Sequence, residues 1–161
     1  MQTRTMASLF AAGVLCCLAG AAQAQVPQYG ASVNLEQARK VLAAAIADAR
    51  KQNLPMAVAI VDNAGQLVAF ERMDNTQTAS VLVAQDKAMA AAMYRRPTKV
   101  FQDALAAGGA GLRIVTLRGA TAVEGGLPIV IDGKIIGGIG VSGGSSEQDG
   151  VVAKAGTDGL K

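Results

Sequence analysis

Apolar residues recur at steps of three and four through Leu35, Ala38, Val41, Leu42, Ala45, Ile46 and Ala49. That spacing predicts an amphipathic helix, with Asn34 as N-cap, Gln37 as capping-box partner and an end near Gln52-Asn53. The period then changes. Met56 to Val61 is an unbroken apolar run behind Pro55, too short for a helix between such breakers, and it predicts a buried strand. Asp62-Asn63-Ala64-Gly65 supplies a turn and Gln66 to Arg72 the returning strand, on which Val68, Phe70 and Arg72 share a face. From about Thr78 to Arg95 the helical period returns in Val81, Leu82, Ala84, Ala88, Met89, Ala91, Ala92 and Met93. Alanine dominates that helix, so another backbone can come close to it. Pro97 forces Arg96 out of helical geometry. Thr98 is expected to cap a short helix through Ala107, which Gly108-Gly109-Ala110-Gly111 terminates.

Arg113 to Leu117 fits either a strand or irregular chain. Leu127 to Ile131 and Lys134 to Ser142 flank Asp132-Gly133, a strong short-range hairpin signal. Ser145 or Ser146 then caps a last helix toward Leu160, with Glu147 and Asp149 in its first turn, where the helix dipole favours anions. Two hairpins imply antiparallel pairing, so the pattern as a whole predicts one α/β domain, a sheet with helices laid on it.

Ahead of this domain, residues 1–24 carry Arg4, an apolar run from Met6 to Ala22 and the small-x-small pattern Ala22-Gln23-Ala24. These are the parts of a secretory signal peptide, cut before Gln25. A retained membrane helix would need about 20 apolar residues. The expected layout is therefore a signal over 1–24, a flexible leader over 25–33 and the domain over 34–161, in a periplasmic or secreted protein without a stable membrane anchor. Cleavage would remove both cysteines, Cys16 and Cys17, and leave fourteen basic residues against twelve acidic. So even a balance, with aromatics at 3%, argues against nucleic acid. There is no histidine. This excludes Ser-His-Asp and Cys-His nucleophile systems, His-ligated zinc and a proximal-His haem. Acid–base work would fall to carboxylates, lysine or tyrosine.

Gly138-Ile139-Gly140-Val141-Ser142-Gly143 spells G-x-G-x-x-G. A dinucleotide fingerprint requires a βαβ unit with an acidic ribose ligand about 20 residues later. Here the strand is the second arm of a hairpin and eighteen residues remain. The glycines instead point to close approach, by a neighbouring element, a ligand or a second subunit.

Four collinear blocks, "PMAVAIVDNAGQLVAFERMD" (55–74), "AQDKAMAAA" (84–92), "GGLPIVIDGKIIGGIGVSG" (125–143) and "EQDGVVAKAG" (147–156), resemble the GlcG/HbpS-like haem-degrading-domain family, which includes the carboxy-terminal domain of PduO-type proteins. The resemblance runs from about Asn34 to the C-terminus. It implies a profilin-like α/β/α sandwich around a five-stranded antiparallel sheet, assembly into homo-oligomers, and haem binding, trafficking or sensing, with corrinoids as a second tetrapyrrole class. The family's haem ligand is histidine in some members. The absence of histidine here means that another side chain faces the iron, or that the pocket holds something else.

A tetrapyrrole needs an apolar slot, cations for its propionates and a donor for its metal. Arg72 and Lys87, both within the matched blocks, are the candidate cations; the alternative is a solvated face or an ion pair with Asp74 or Asp86. Arg95-Arg96 reads as a charge complement to a helix C-terminus. Met89, Met93 and Tyr94 are candidate axial donors, although helically spaced methionines also serve as core. Gly126 and Gly140 could present backbone to a ligand or pack. Ser142 could donate to a ligand or cap. Asp62, Asp74 and Glu124 would form a hard-metal site only if the fold gathers them. No residue stands out as a catalyst. The competing reading is an enzyme or accessory subunit for a small organic acid, with Lys87 as base and glycine amides as an anion cradle.

Overall fold

The computed structural model describes residues 26–161, so the expected signal peptide and its cleavage site lie outside the described residues. A five-stranded sheet forms from β1 (Gln28–Tyr29), β2 (Ala57–Asp62), β3 (Leu67–Arg72), β4 (Gly126–Ile131) and β5 (Lys134–Ser142). β5 is the hub. It pairs antiparallel with β4 on one side and with β2 on the other, and β2 pairs antiparallel with β3. β1 runs parallel to the start of β5, through Gln28 with Lys134 and Tyr29 with Ile135. The sheet is therefore mixed, which corrects the expectation of an all-antiparallel one. The strand count stands.

Two helical layers cover the sheet. On one face α1 (Leu35–Lys51) and α4 (Ser146–Asp158) bury Val41, Ala45, Val152 and Ala153 against Val58, Ile60, Ile139 and Val141. On the other, α2 (Ser80–Tyr94) lays Ala84, Ala88 and Ala92 on Ala57, Ala59 and Val61. Alternate residues of β2 thus serve opposite layers, and for that reason its sequence reads as one continuous apolar run. α1 begins with the predicted capping box, Asn34 Oδ1 accepting from the Gln37 amide and the Gln37 side chain accepting from the Asn34 amide. α4 repeats the device with Ser145 and Gln148.

Three local expectations are corrected. Thr98 precedes α3 (Lys99–Ala106) but does not cap it, because its hydroxyl accepts the Gly126 amide at 2.9 Å while its own amide donates to the Gly126 carbonyl. Of residues 113–117, the first four belong to a 3-10 helix, Gly109–Thr116, and Leu117 follows it in extended geometry. The outer edge of β4 does not take them as a further strand: Thr98 occupies it at Gly126, and Pro128 lacks the amide that a ladder needs. The segment expected as a mobile leader, over its described part, holds β1, buries Val33, and places the Tyr29 hydroxyl where it donates to the last-turn carbonyls of α2, Ala92 and Met93.

Candidate functional site

Lys87, one of the two candidate cations, is 1% exposed and is the largest fully buried side chain among the described residues. Its Nζ donates to Asp149 Oδ2 at 2.6 Å and to the Val141 carbonyl at 3.0 Å. The partner is neither Asp74 nor Asp86. Asp149 Oδ1 also accepts the Gly144 amide, so both carboxylate oxygens are engaged. Burial pushes the Asp149 carboxyl above the usual carboxylate range; Lys87 and the amides of Gly144 and Gly143 pull the other way. The pair joins α2 to the first turn of α4. A Cβ on Gly125 would stand 2.8 Å from both Lys87 Nζ and Asp149 Cβ, so that position is glycine to admit the pair. The anion-cradle reading loses its parts here: the lysine is enclosed, and a glycine amide serves the chain's own carboxylate.

The glycine fingerprint has an equally internal explanation. A Cβ on Gly140 would lie 2.0 Å from the Ala84 carbonyl oxygen, and one on Gly138 2.4 Å from that of Ala88. β5 is bare at these positions so that the alanine ridge of α2 can rest on its backbone. Gly126 lies under the Lys87 carbonyl, where a Cβ would come within 2.4 Å. The Ser142 hydroxyl donates to Ser80 Oγ at 3.0 Å in a buried pair. Gly126, Gly140 and Ser142 therefore hold elements together and leave no room for a ligand.

Arg72 is not gathered with Met89, Met93 and Tyr94 either. Arg72 ends β3 and lines a small polar depression of about 310 Å³ with Arg50, Glu71 and Asp74. Met89 and Met93 cover Gly65, at the other end of β3, with Met89 Cγ and Met93 Sδ about 3 Å from where a Cβ would be. The six residues of β3 separate these ends, about 20 Å. Tyr94 donates to the Arg118 carbonyl at 2.8 Å and sets its ring edge-on to Phe101, with centroids 5.2 Å apart. Asp62 accepts the amides of Ala64 and Gln66 within its turn. Among the described residues, no group of three or more His, Cys, Asp or Glu side chains could hold a metal ion.

A groove that sequence reasoning missed lies between α3 and the 3-10 helix. It has a volume of about 380 Å³ and is walled by Val100, Ala104, Ala107, Ala110, Ile114 and Leu117, with Phe101 in the wall as well. Gly111 fixes its width: a Cβ there would lie 1.8 Å from the Ala104 carbonyl oxygen, so the 3-10 helix rests directly on α3. Arg96 and Arg113 both line the groove, and among the described residues neither forms an ion pair. The Arg96 guanidinium is held over the Phe101 ring, 5.9 Å from its centroid, and its Nε donates to the Tyr94 carbonyl at 3.1 Å. The signals were present in the sequence as Arg95-Arg96-Pro97 and Gly108-Gly109-Ala110-Gly111, read there as a helix terminus and a break. An apolar slot with two cations beside it suits a flat, apolar molecule bearing carboxylates.

The comparisons agree with this architecture. A crystal structure of HbpS superimposes with a TM-score of 0.75 at 30% identity, covering 83% of this chain and 94% of that one. The crystal structure of a PduOC:haem complex gives 0.73 at 27% identity, over 81% and 96%. The GlcG protein of Escherichia coli K12 is 39% identical over 107 residues, 66% of this chain and 78% of the relative. The model for the family described as haem degrading protein HbpS-like matches residues 33–158, and the chain belongs to that family.

Proposed function

We propose that this protein binds haem, or a closely related dicarboxylate tetrapyrrole, in the groove between α3 and the 3-10 helix. The observation that carries the reading is the pair Arg96 and Arg113 beside an apolar slot of about 380 Å³. An arginine offers a carboxylate two parallel charge-assisted hydrogen bonds, and the slot takes the ring out of water. Support comes from the family match and from the similarity to the PduOC:haem complex, where the ligand is that protein's. A corrinoid is the weaker alternative, since corrinoid adenosyltransferases appear among the relatives. A binding role is favoured over catalysis, because Lys87, the one buried lysine among the described residues, is spent on Asp149.

The protein is further proposed to be exported, through removal of residues 1–24, and to act as a homo-oligomer in haem storage, trafficking or sensing. Exposed apolar side chains at Leu82, Leu112 and Val115 support assembly. Haemin titration tests the central claim: a saturable, shifted Soret band is expected, and a flat titration refutes it. Native mass spectrometry of protein recovered from the periplasm reads ligand, subunit number and the mature N-terminus together.

A further inference from the structure

The groove meets the organic part of a tetrapyrrole well and its metal not at all. Its wall is aliphatic side chains, glycine backbone and Phe101, with two guanidiniums; it contains no imidazole, thiolate, thioether, phenol or amine. Among the described residues, the donors that the sequence offered do not line it. Met89 and Met93 lie over Gly65, the Tyr94 hydroxyl is given to Arg118, and Lys87 is enclosed with Asp149. A second copy of the chain brings no histidine, since the sequence has none.

We infer that the site recognises the ring and its carboxylates and is indifferent to the metal, so that its ligand class is dianionic porphyrins, metal-free and metallated alike. This rests on the proposed location of the site. Binding energy then comes from burial of the ring and from Arg96 and Arg113, and a ferric ion carried in would keep solvent as its axial ligand.

The experiment compares haemin, protoporphyrin IX and protoporphyrin IX dimethyl ester on the full mature chain, by intrinsic fluorescence quenching and absorption. The expected result is that haemin and protoporphyrin IX bind within about tenfold of one another, and that the ester binds more than about tenfold weaker. Bound ferric haem should show the spectrum of a high-spin, water-ligated iron. Arg96→Ala and Arg113→Ala, both on exposed side chains, should weaken haemin and protoporphyrin IX by the same factor. Haemin binding more than about tenfold tighter than the free base, or a low-spin six-coordinate spectrum, overturns the inference and leaves haem binding intact. If neither porphyrin binds, the groove is not a tetrapyrrole site and both proposals fall.

Discussion

The contact between α2 and β5 and the contact between α3 and the 3-10 helix are built from the same small residues, yet they differ in what they leave open. In the first, the carbonyls of Ala84 and Ala88 sit on Gly140 and Gly138, in the interior, and no space remains. In the second, Gly111 meets Ala104 just as closely, but in these two helices only Phe101 and Ile114 are buried, while Val100, Leu112, Val115 and Leu117 are exposed. Close backbone approach thus closes a core when both partners are covered and frames a groove when one of them is a peripheral helical turn. The glycine-rich stretch that looks most like a ligand motif belongs to the closed kind. The open kind carries no recognisable motif.

The contrast can be broken first at the ion pair that anchors the closed region. Lys87→Met leaves the Asp149 carboxylate buried without its cation, and loss of one partner of a buried pair costs about 3–5 kcal/mol. Denaturant unfolding of the variant should show a loss of that size. Lys87→Met with Asp149→Leu should recover most of it, because the apolar pair carries no desolvation cost. An equal loss in the double variant would mean that the pair's contribution is shape rather than charge.

The same carboxyl gives a pH dependence with a definite sign. Asp149 holds its proton more tightly in the folded chain than in the unfolded one, because burial dominates. Its contribution is thus fully present below the ordinary aspartate value of 3.8 and is lost as pH rises through the raised folded value. The stability difference between wild type and Asp149→Asn should accordingly shrink as pH rises from 3.8, then level off. A difference that grows over that interval would show that Lys87 outweighs burial.

Gly140→Ala tests the closed contact by packing. The new methyl would collide with a backbone carbonyl that cannot rotate away, so α2 must move off the sheet. Overpacking of this kind costs about 3 kcal/mol. Thermal unfolding should fall by roughly 10 °C for a domain of this size, and unchanged stability would mean that α2 is not seated on β5.

The two arginine-bearing regions can then be set against each other. Arg96→Ala should weaken haemin about tenfold, the loss of one charge-assisted contact. Arg72→Ala should leave haemin binding unchanged, since Arg72 lines a separate depression with Arg50 and Asp74. The reverse outcome would move the site to the end of β3, at one of the two cations that the sequence offered.

The fold was legible wherever local chemistry decides it. The stripe from Leu35 to Ala49, the Asn34 capping box, a serine cap on the last helix and the Asp132-Gly133 turn each form as the sequence indicates. β1 was not, because a two-residue strand has no periodicity to read and depends on a partner over a hundred residues away. The candidate site was misjudged for a related reason. A lysine among alanines looks the same in sequence whether it faces a ligand or an aspartate 62 residues on. Only the sheet, by carrying Val141 and Gly125 past the α2 helix, decides between them. Arg96 and Arg113 are seventeen positions apart in unlike local settings, and it is the reversal at Gly108 and Gly109, both with positive φ, that brings them to one groove.

Gly111→Ala asks whether the open contact matters to function more than to folding. The added methyl would meet the Ala104 carbonyl at 1.8 Å, a clash as severe as the one at Gly140. The 3-10 helix nevertheless contributes only Ile114 to the buried set, so it can lift away from α3 at a cost of about 1 kcal/mol while the sheet and its two layers stay in place. Lifting widens the slot and separates Arg113 from Arg96. The variant should therefore unfold almost where the wild type does and still lose most of its haemin affinity. Gly140→Ala, assayed below its lowered melting point, should lose stability and keep affinity. Equal losses of stability in both variants would mean that the 3-10 segment is part of the cooperative core, and the distinction between the two contacts would fail.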